Sequence, residues 1–205
     1  MDLPGDIAAV RGIFQQYQDY YTLRDPANLD ACMDLFTRGP DIEVVGTGAI
    51  TPGTEEWCDT HELARELTAS DWQGWGDVRF DVAGAVIHAL GDVAWLTTTG
   101  TVTTVYPVAD NLRNAVAHAK HALDAPGDDE GRLKNMLMWA TLALAEGHRG
   151  DEYIWPIRFS AVLAREDGAW RFRQAHFSFP TTRFPDERWT NLRGPAARKV
   201  DASAD

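Results

Sequence analysis

Cysteine is nearly absent from this 205-residue chain, which holds only Cys32 and Cys58. The chain opens Met-Asp-Leu-Pro-Gly-Asp, with no basic region leading into an apolar run, so the pair gives no disulfide framework. Buried free thiols in a cytoplasmic protein are the expectation, and both cysteines fall in segments that read as helix. Long hydrophobic runs are missing too. Nothing approaches the roughly 18 apolar residues of a membrane span. Basic charge is scarce, 19 Lys and Arg against 31 Asp and Glu, for a formal net charge of −12. Such a chain repels polyphosphate at long range, which argues against a nucleic-acid partner. There is no Gly-rich phosphate loop, no Gly-x-Ser-x-Gly elbow and no cysteine paired with a nearby histidine. His118 and His121 stand three apart and His148 lies further on, yet no carboxylate or cysteine sits at ligand spacing. Neither a metal nor a cofactor is expected.

What is present reads as an α+β domain. Eight tryptophans and 44% hydrophobic residues are enough to bury a core. Ile7, Val10, Phe14, Tyr17 and Tyr21 recur every three or four residues, one face of a helix over 6–24 that Asp25-Pro26 stops. Asn28 can cap a short second helix carrying Leu29, Met33 and Phe36. Residues 41–47 read as a strand. Thr54-Glu55-Glu56 opens a third helix to about Thr68, with Trp57, His61, Ala64 and Leu67 on one face.

From Val78 the period changes to two. Residues 78–90 and 93–106 form one hairpin across Gly91-Asp92, and 154–165 and 169–179 a second across Glu166-Asp167-Gly168. Between them, 107–152 reads as an inserted helical hairpin. Leu112, Val116, Ala119 and Leu123 mark one helix. Leu133, Met136, Leu137, Ala140 and Leu144 mark the next, which Met138, Trp139 and Leu142 make apolar nearly all round. Residues 1–184 form a single domain on this reading, and 185–205 a polar, frayed tail.

Several segments carry a family likeness. Leu35-Phe36-Thr37-Arg38-Gly39-Pro40-Asp41-Ile42, Pro52-Gly53-Thr54-Glu55-Glu56 and Gly91-Asp92-Val93-Ala94-Trp95 follow in order. Arg158-Phe159-Ser160, Arg165 through Arg171 and His176-Phe177-Ser178-Phe179-Pro180 complete the set. Together they resemble the superfamily of nuclear transport factor 2, SnoaL-like polyketide cyclases and ketosteroid isomerases, over residues 6–106 and 153–180. The resemblance implies a curved antiparallel sheet with three N-terminal helices on its concave face, an internal pocket, and a dimer. The apolar surface of residues 133–144 also points to a dimer. Tyr17 falls where the isomerases carry their oxyanion tyrosine. Their general base would fall at Val44 or Val45, neither of which can move a proton.

The last hairpin sets up a candidate site. A three-residue loop Glu166-Asp167-Gly168 pairs Arg165 with Ala169, and counting outward places Val162 opposite Phe172, Ser160 opposite Gln174 and Arg158 opposite His176. A two-residue loop shifts the register by one and separates Arg158 from His176. With the longer loop, Arg158, Ser160, Gln174 and His176 make a polar patch. A guanidinium fork and an imidazole suit a small anionic or carbonyl-bearing molecule. His176 and Tyr17 are then the candidate catalytic groups, and Trp57 and Phe172 line the ligand's apolar body. Alternatively, His176 is a packed core histidine and Arg158 pairs with Asp81 or Glu43. The expected function is a small-molecule-binding domain acting as a cyclase, isomerase or hydrolase. The rival is a non-catalytic association domain with a vestigial pocket.

Overall fold

The computed structural model describes residues 4–49, 52–53, 56–105, 107–124, 126, 128–147 and 151–179. The frayed tail expected over 185–205, and His148, lie outside them. So do the side chains of Met138, Trp139 and Leu142. The described residues divide into two compact units, one within 4–104 and 154–179 and the other within 105–153.

Helix α1 (Pro4–Leu23) follows its apolar spacing closely, with Val10, Phe14, Tyr17 and Tyr21 each at most 2% exposed. Arg24 turns into the left-handed region (φ 48°) and ends the helix. Asn28 stands at the N-cap of the second helix but makes no side-chain cap hydrogen bond, and the side-chain cap comes from Asp25, one turn earlier. Its carboxylate accepts from Ala27 N at 3.0 Å over a 3-10 turn (Pro26–Asn28) that leads into α2 (Leu29–Met33). The third helix, α3 (His61–Gly74), begins later than the sequence suggests. Thr60 Oγ1 accepts from Leu63 N and caps it, whereas Trp57 and Cys58 form a short strand. That strand, β2 (Trp57–Cys58), pairs with β1 (Glu43–Val45). Cys58 is therefore a strand residue and Cys32 a helical one; both are buried thiols.

The remaining strands are β3 (Asp77–Phe80), β4 (Val86–Leu90), β5 (Val93–Val105), β6 (Glu152–Glu166) and β7 (Ala169–Ser178). They build one curved sheet in the order β2-β1-β7-β6-β5-β3, with β4 also on β5. β1 with β2, β3 and β4 with β5, and β6 with β7 pair antiparallel, whereas β1 runs parallel to β7, an arrangement open to strands that no tight turn joins. The strand expected over 78–90 is broken. Asp81 Oδ1 accepts from Gly84 N at 2.8 Å, closing a turn, and Arg11 of α1 donates to the carbonyls of Val82, Ala83 and Ala85. Gln18 of α1 serves the open edge of β3: its amide donates to Val78 O at 3.0 Å and accepts from Phe80 N. An exposed edge is thereby satisfied from within the same chain.

Helix α1 contacts β3, β4 and β7, and aromatic rings fill the space between. Phe14 stacks on Phe159 (centroids 5.4 Å apart), Phe80 lies 4.8 Å from Phe159, and Tyr17 lies 5.2 Å from Phe172. Such pairs add about 0.5–1.5 kcal/mol each beyond area burial.

The last hairpin departs from its expected register twice. Asp167 (φ 50°) and Gly168 (φ 82°) make a two-residue turn, so Glu166 belongs to the strand and pairs with Ala169. Thr37 Oγ1 and Arg38 N donate to the Glu166 carboxylate and fix it there. This is the shorter loop that by itself moves Arg158 and His176 to opposite faces. A bulge then intervenes: Leu163 pairs with Phe172 but Val162 with Gln174, leaving Arg173 as the extra residue. The second shift restores the parity lost in the first. Arg158 is opposite Ser178 and Ser160 opposite His176, so Arg158 and His176 are diagonal neighbours on one face.

The inserted unit holds α4 (Val108–Asp124) and α5 (Asp129–Gly147), packed along each other.

Candidate functional site

The face shared by Arg158 and His176 is the one turned away from α1. Phe159, Ala161, Ala175 and Phe177 alternate with it and are at most 2% exposed against the helix. The concave-side placement expected for Arg158 and His176 is thus corrected. Arg158, Ser160 and His176 instead line an open groove of about 710 Å³ with Asp81, Thr97 and Ser178. Arg158 is exposed, donates to Phe179 O at 2.6 Å, and forms no ion pair among the described residues. Gln174 pairs with Val162 rather than with Ser160, and donates to Glu43 Oε2 at 2.6 Å. Trp57 Nε1 donates to the other oxygen of Glu43 at 2.8 Å. Phe172 and Tyr17 are not in this groove. They are core residues, 0% and 1% exposed, on the opposite side of the sheet.

A second pocket, half open and of about 360 Å³, is lined by Thr47, Glu56, Ser70, Asp71, Trp75 and Phe177 among others. Helix α3 places Ser70, Asp71 and Gly74 there in its last turn, and the helix end holds the segment in place through Trp75 N to Asp71 O at 3.0 Å. Trp75 packs edge-on against Phe177 at 5.6 Å. Its neighbour Trp72 turns inward instead, 7% exposed and edge-on to Tyr21.

Among the residues lining this pocket, Asp71 is the one tied to the core by a hydrogen bond. Tyr21 Oη donates to Asp71 Oδ2 at 3.0 Å, and Tyr17 Oη donates to Tyr21 Oη at 3.4 Å. The chain of hydroxyls therefore begins in the core and ends on a half-buried carboxyl at the cavity wall. Burial pushes the Asp71 carboxyl up to about 7; the Tyr21 hydrogen bond pulls the other way, and the nearby Glu56 charge adds to the rise. Burial also holds Tyr17 and Tyr21 well above the ordinary tyrosine range, so both remain donors at neutral pH. A carboxyl that titrates near 7 can give or take a proton there, which an ordinary aspartate cannot. The cysteines cannot compete as nucleophiles, because burial raises Cys32 to about 12 and Cys58 to about 11.

Asp71 lies past Thr68, where the sequence ends the third helix, and α3 continues through it to Gly74. The available signal is the pairing of Tyr21 on the buried stripe of α1 with a lone acid beside two tryptophans. His61 Nε2 is buried with no hydrogen-bond partner among the described residues. His118 and His121 lie on α4, and no group of three metal-ligating side chains occurs among the described residues. No helix among them is long and apolar enough to cross a membrane.

Helices packed on a curved sheet define the α+β class, and comparison with known proteins identifies the family. The SnoaL-like domain family matches residues 13–121, more than half of the chain, and the protein belongs to it. No curated protein matches the sequence. Among solved structures, a nuclear transport factor 2-like (NTF2-like) protein of unknown function from Pseudomonas putida is similar with a TM-score of 0.55 at 14% identity, covering 91% of this chain and 94% of its own. A candidate dehydratase of the NTF2-like family from Streptomyces avermitilis gives 0.56 at 12% identity, over 88% of this chain and all of its own. A candidate scytalone dehydratase from Novosphingobium aromaticivorans gives 0.51 at 9% identity, over 86% and 85%. At these identities the likeness establishes the fold.

Proposed function

We propose that this SnoaL-like domain binds a small carbonyl-bearing organic molecule in the α3 cavity and moves a proton on it, with Asp71 as the acid–base group. The observation that carries the reading is the Tyr17–Tyr21–Asp71 hydrogen-bond chain ending at the cavity wall. Its volume of about 360 Å³ lies at the lower end of the 300–1,000 Å³ usual for small-molecule sites. The ionised carboxyl takes a proton from a carbon or hydroxyl made acidic by the carbonyl, and the resulting acid returns it to another atom of the same molecule. Nothing is oxidised or reduced, so isomerisation, cyclisation and loss of water are all within reach. Tyr17 acts behind Tyr21, orienting the hydroxyl that holds Asp71. By the family resemblance the isomerase-type base would fall at Val44 or Val45 on β1, and on this reading the carboxyl of α3 takes that role from a different element.

Proton transfer is measurable without knowing the substrate. Cyclic ketones and enones incubated in D2O should lose their α-hydrogens to solvent faster with protein, followed by proton NMR. Asp71→Asn should slow that exchange by about 10²–10⁴. Exchange unaffected by the substitution refutes Asp71 as the base. No acceleration with any compound favours the non-catalytic association domain.

A second reading rests on the outer groove, where Arg158, Ser160 and His176 stand together with the hydroxyls of Thr97 and Ser178. That chemistry fits a small carboxylate, which a guanidinium fork matches with two parallel hydrogen bonds.

A further inference from the structure

The inserted helical hairpin carries apolar side chains on two faces. One is internal: Ala122 of α4 and Ala143 of α5 are 3% and 4% exposed where the helices pack. The other stands in solvent. Leu112, Val116 and Leu123 of α4 are 38%, 56% and 52% exposed, and Leu133, Leu137 and Leu144 of α5 are 62%, 56% and 54% exposed. With Ala119 and Ala140, each set follows the same 4-3-4 rhythm, which keeps side chains along one side of a helix.

The two stripes fall on the same side of the hairpin. At about 100° per residue, each stripe lies roughly a quarter-turn from the line of contact marked by Ala122 or Ala143, in the same rotational sense on each helix. The helices are joined by residues 125–128 and so run antiparallel, which brings equal rotations to one side. The result is a single aliphatic face containing no charged residue at its stripe positions.

We infer that this face packs on the same face of a second copy, forming a four-helix bundle across a two-fold axis. Three observations choose that occupant. The stripe has one rhythm on both helices, so the face is complementary to itself, as a two-fold contact requires. Its open side chains amount to roughly 500 Å² per copy, and two copies reach the roughly 1,000 Å² that a specific interface needs. The chain's charge of −12, and five acidic against four basic residues on α4 and α5, disfavour an anionic membrane or nucleic acid as the partner.

Sedimentation of the full chain at micromolar concentration tests this directly. The wild type should run as a dimer, and a Val116→Glu/Leu137→Glu variant should dissociate at least 100-fold more readily. Cysteine substitution covers the case in which the double variant misfolds. Cys32 and Cys58 are buried, so a new exposed thiol reports alone. Val116→Cys or Leu137→Cys should cross-link two copies under mild oxidation, and Ala117→Cys, on the far side of α4, should not. A monomeric wild type, a double variant of unchanged mass, or cross-linking equal at all three positions overturns the inference. A monomer whose melting point falls in the double variant also overturns it, and assigns the stripe to contacts within the chain.

Discussion

Replacing Asp71 with Asn should make the protein more stable, by an amount that depends on pH. In the folded chain the carboxyl titrates near 7, raised from an ordinary value of 3.8. Below 3.8 it is protonated in both states and contributes nothing to the pH dependence. Between 3.8 and 7 the unfolded chain releases the proton while the folded chain keeps it, so stability falls as pH rises. Above 7 both states are ionised and the loss levels off. A rise from 3.8 to about 7 corresponds to about 4 kcal/mol at most. Asp71 is half-buried and solvent screens part of that, so about 2 kcal/mol is expected. Asparagine has no proton to lose, and its carbonyl oxygen can still accept from Tyr21. Thermal melts of both proteins from pH 4 to 8 should therefore coincide near pH 4 and diverge to about 4–8 °C in favour of Asp71→Asn by pH 8. Using the difference between variants removes groups that titrate alike in both. A constant difference across the range, or a variant less stable at pH 8, refutes the assignment of a raised carboxyl. A site that destabilises the fold at working pH is typical of one kept for chemistry.

Arg165 should matter more than a surface arginine normally does. It pairs with Asp6 at the start of α1 and with Asp92 in the β4–β5 turn, and lies 4.6 Å over the Trp170 ring. Arg165→Ala should cost about 1–3 kcal/mol, read as a fall of several degrees in melting temperature; a change under about 0.5 kcal/mol would show that the cluster contributes little. Arg158→Met should leave stability within about 0.5 kcal/mol, because the guanidinium is exposed and, among the described residues, loses the Phe179 carbonyl alone, while abolishing any stabilisation by small carboxylates. A drop of about 3–5 kcal/mol instead would mean that Arg158 neutralises a carboxylate of its own chain.

The parts legible in the sequence are those with a strong local period. The α1 stripe of Val10, Phe14, Tyr17 and Tyr21, the Gly91-Asp92 turn and the two-helix insertion all rest on local spacing, and each stands in the structure as expected. The start of α3 falls later than expected because Glu55 and Glu56 resemble a first helical turn, whereas pairing of Trp57 and Cys58 with β1 prevails over that preference. The candidate site depends on register, the least local property of a hairpin. Asp167-Gly168 favours the two-residue turn, and the bulge at Arg173 is fixed by distant partners: its guanidinium reaches Asp41 at 2.6 Å and Glu166 at 3.0 Å. Neither acid is adjacent to Arg173 in sequence, so no count along the strand could locate the bulge. Asp71 is hidden for a similar reason. Its partner Tyr21 is 50 residues away, and only the fold brings them together.

Protonation of the Asp71 carboxyl decides the proposed chemistry, and it can be observed directly. Protein labelled with ¹³C at the aspartate side-chain carboxyl should give one resonance, absent from Asp71→Asn, that titrates with a midpoint near 7. Tyr21→Phe removes the hydrogen bond that favours the ionised form, so its midpoint should move higher still. A midpoint below about 5 in the wild type, close to an ordinary aspartate, would contradict the proposed proton-transfer site.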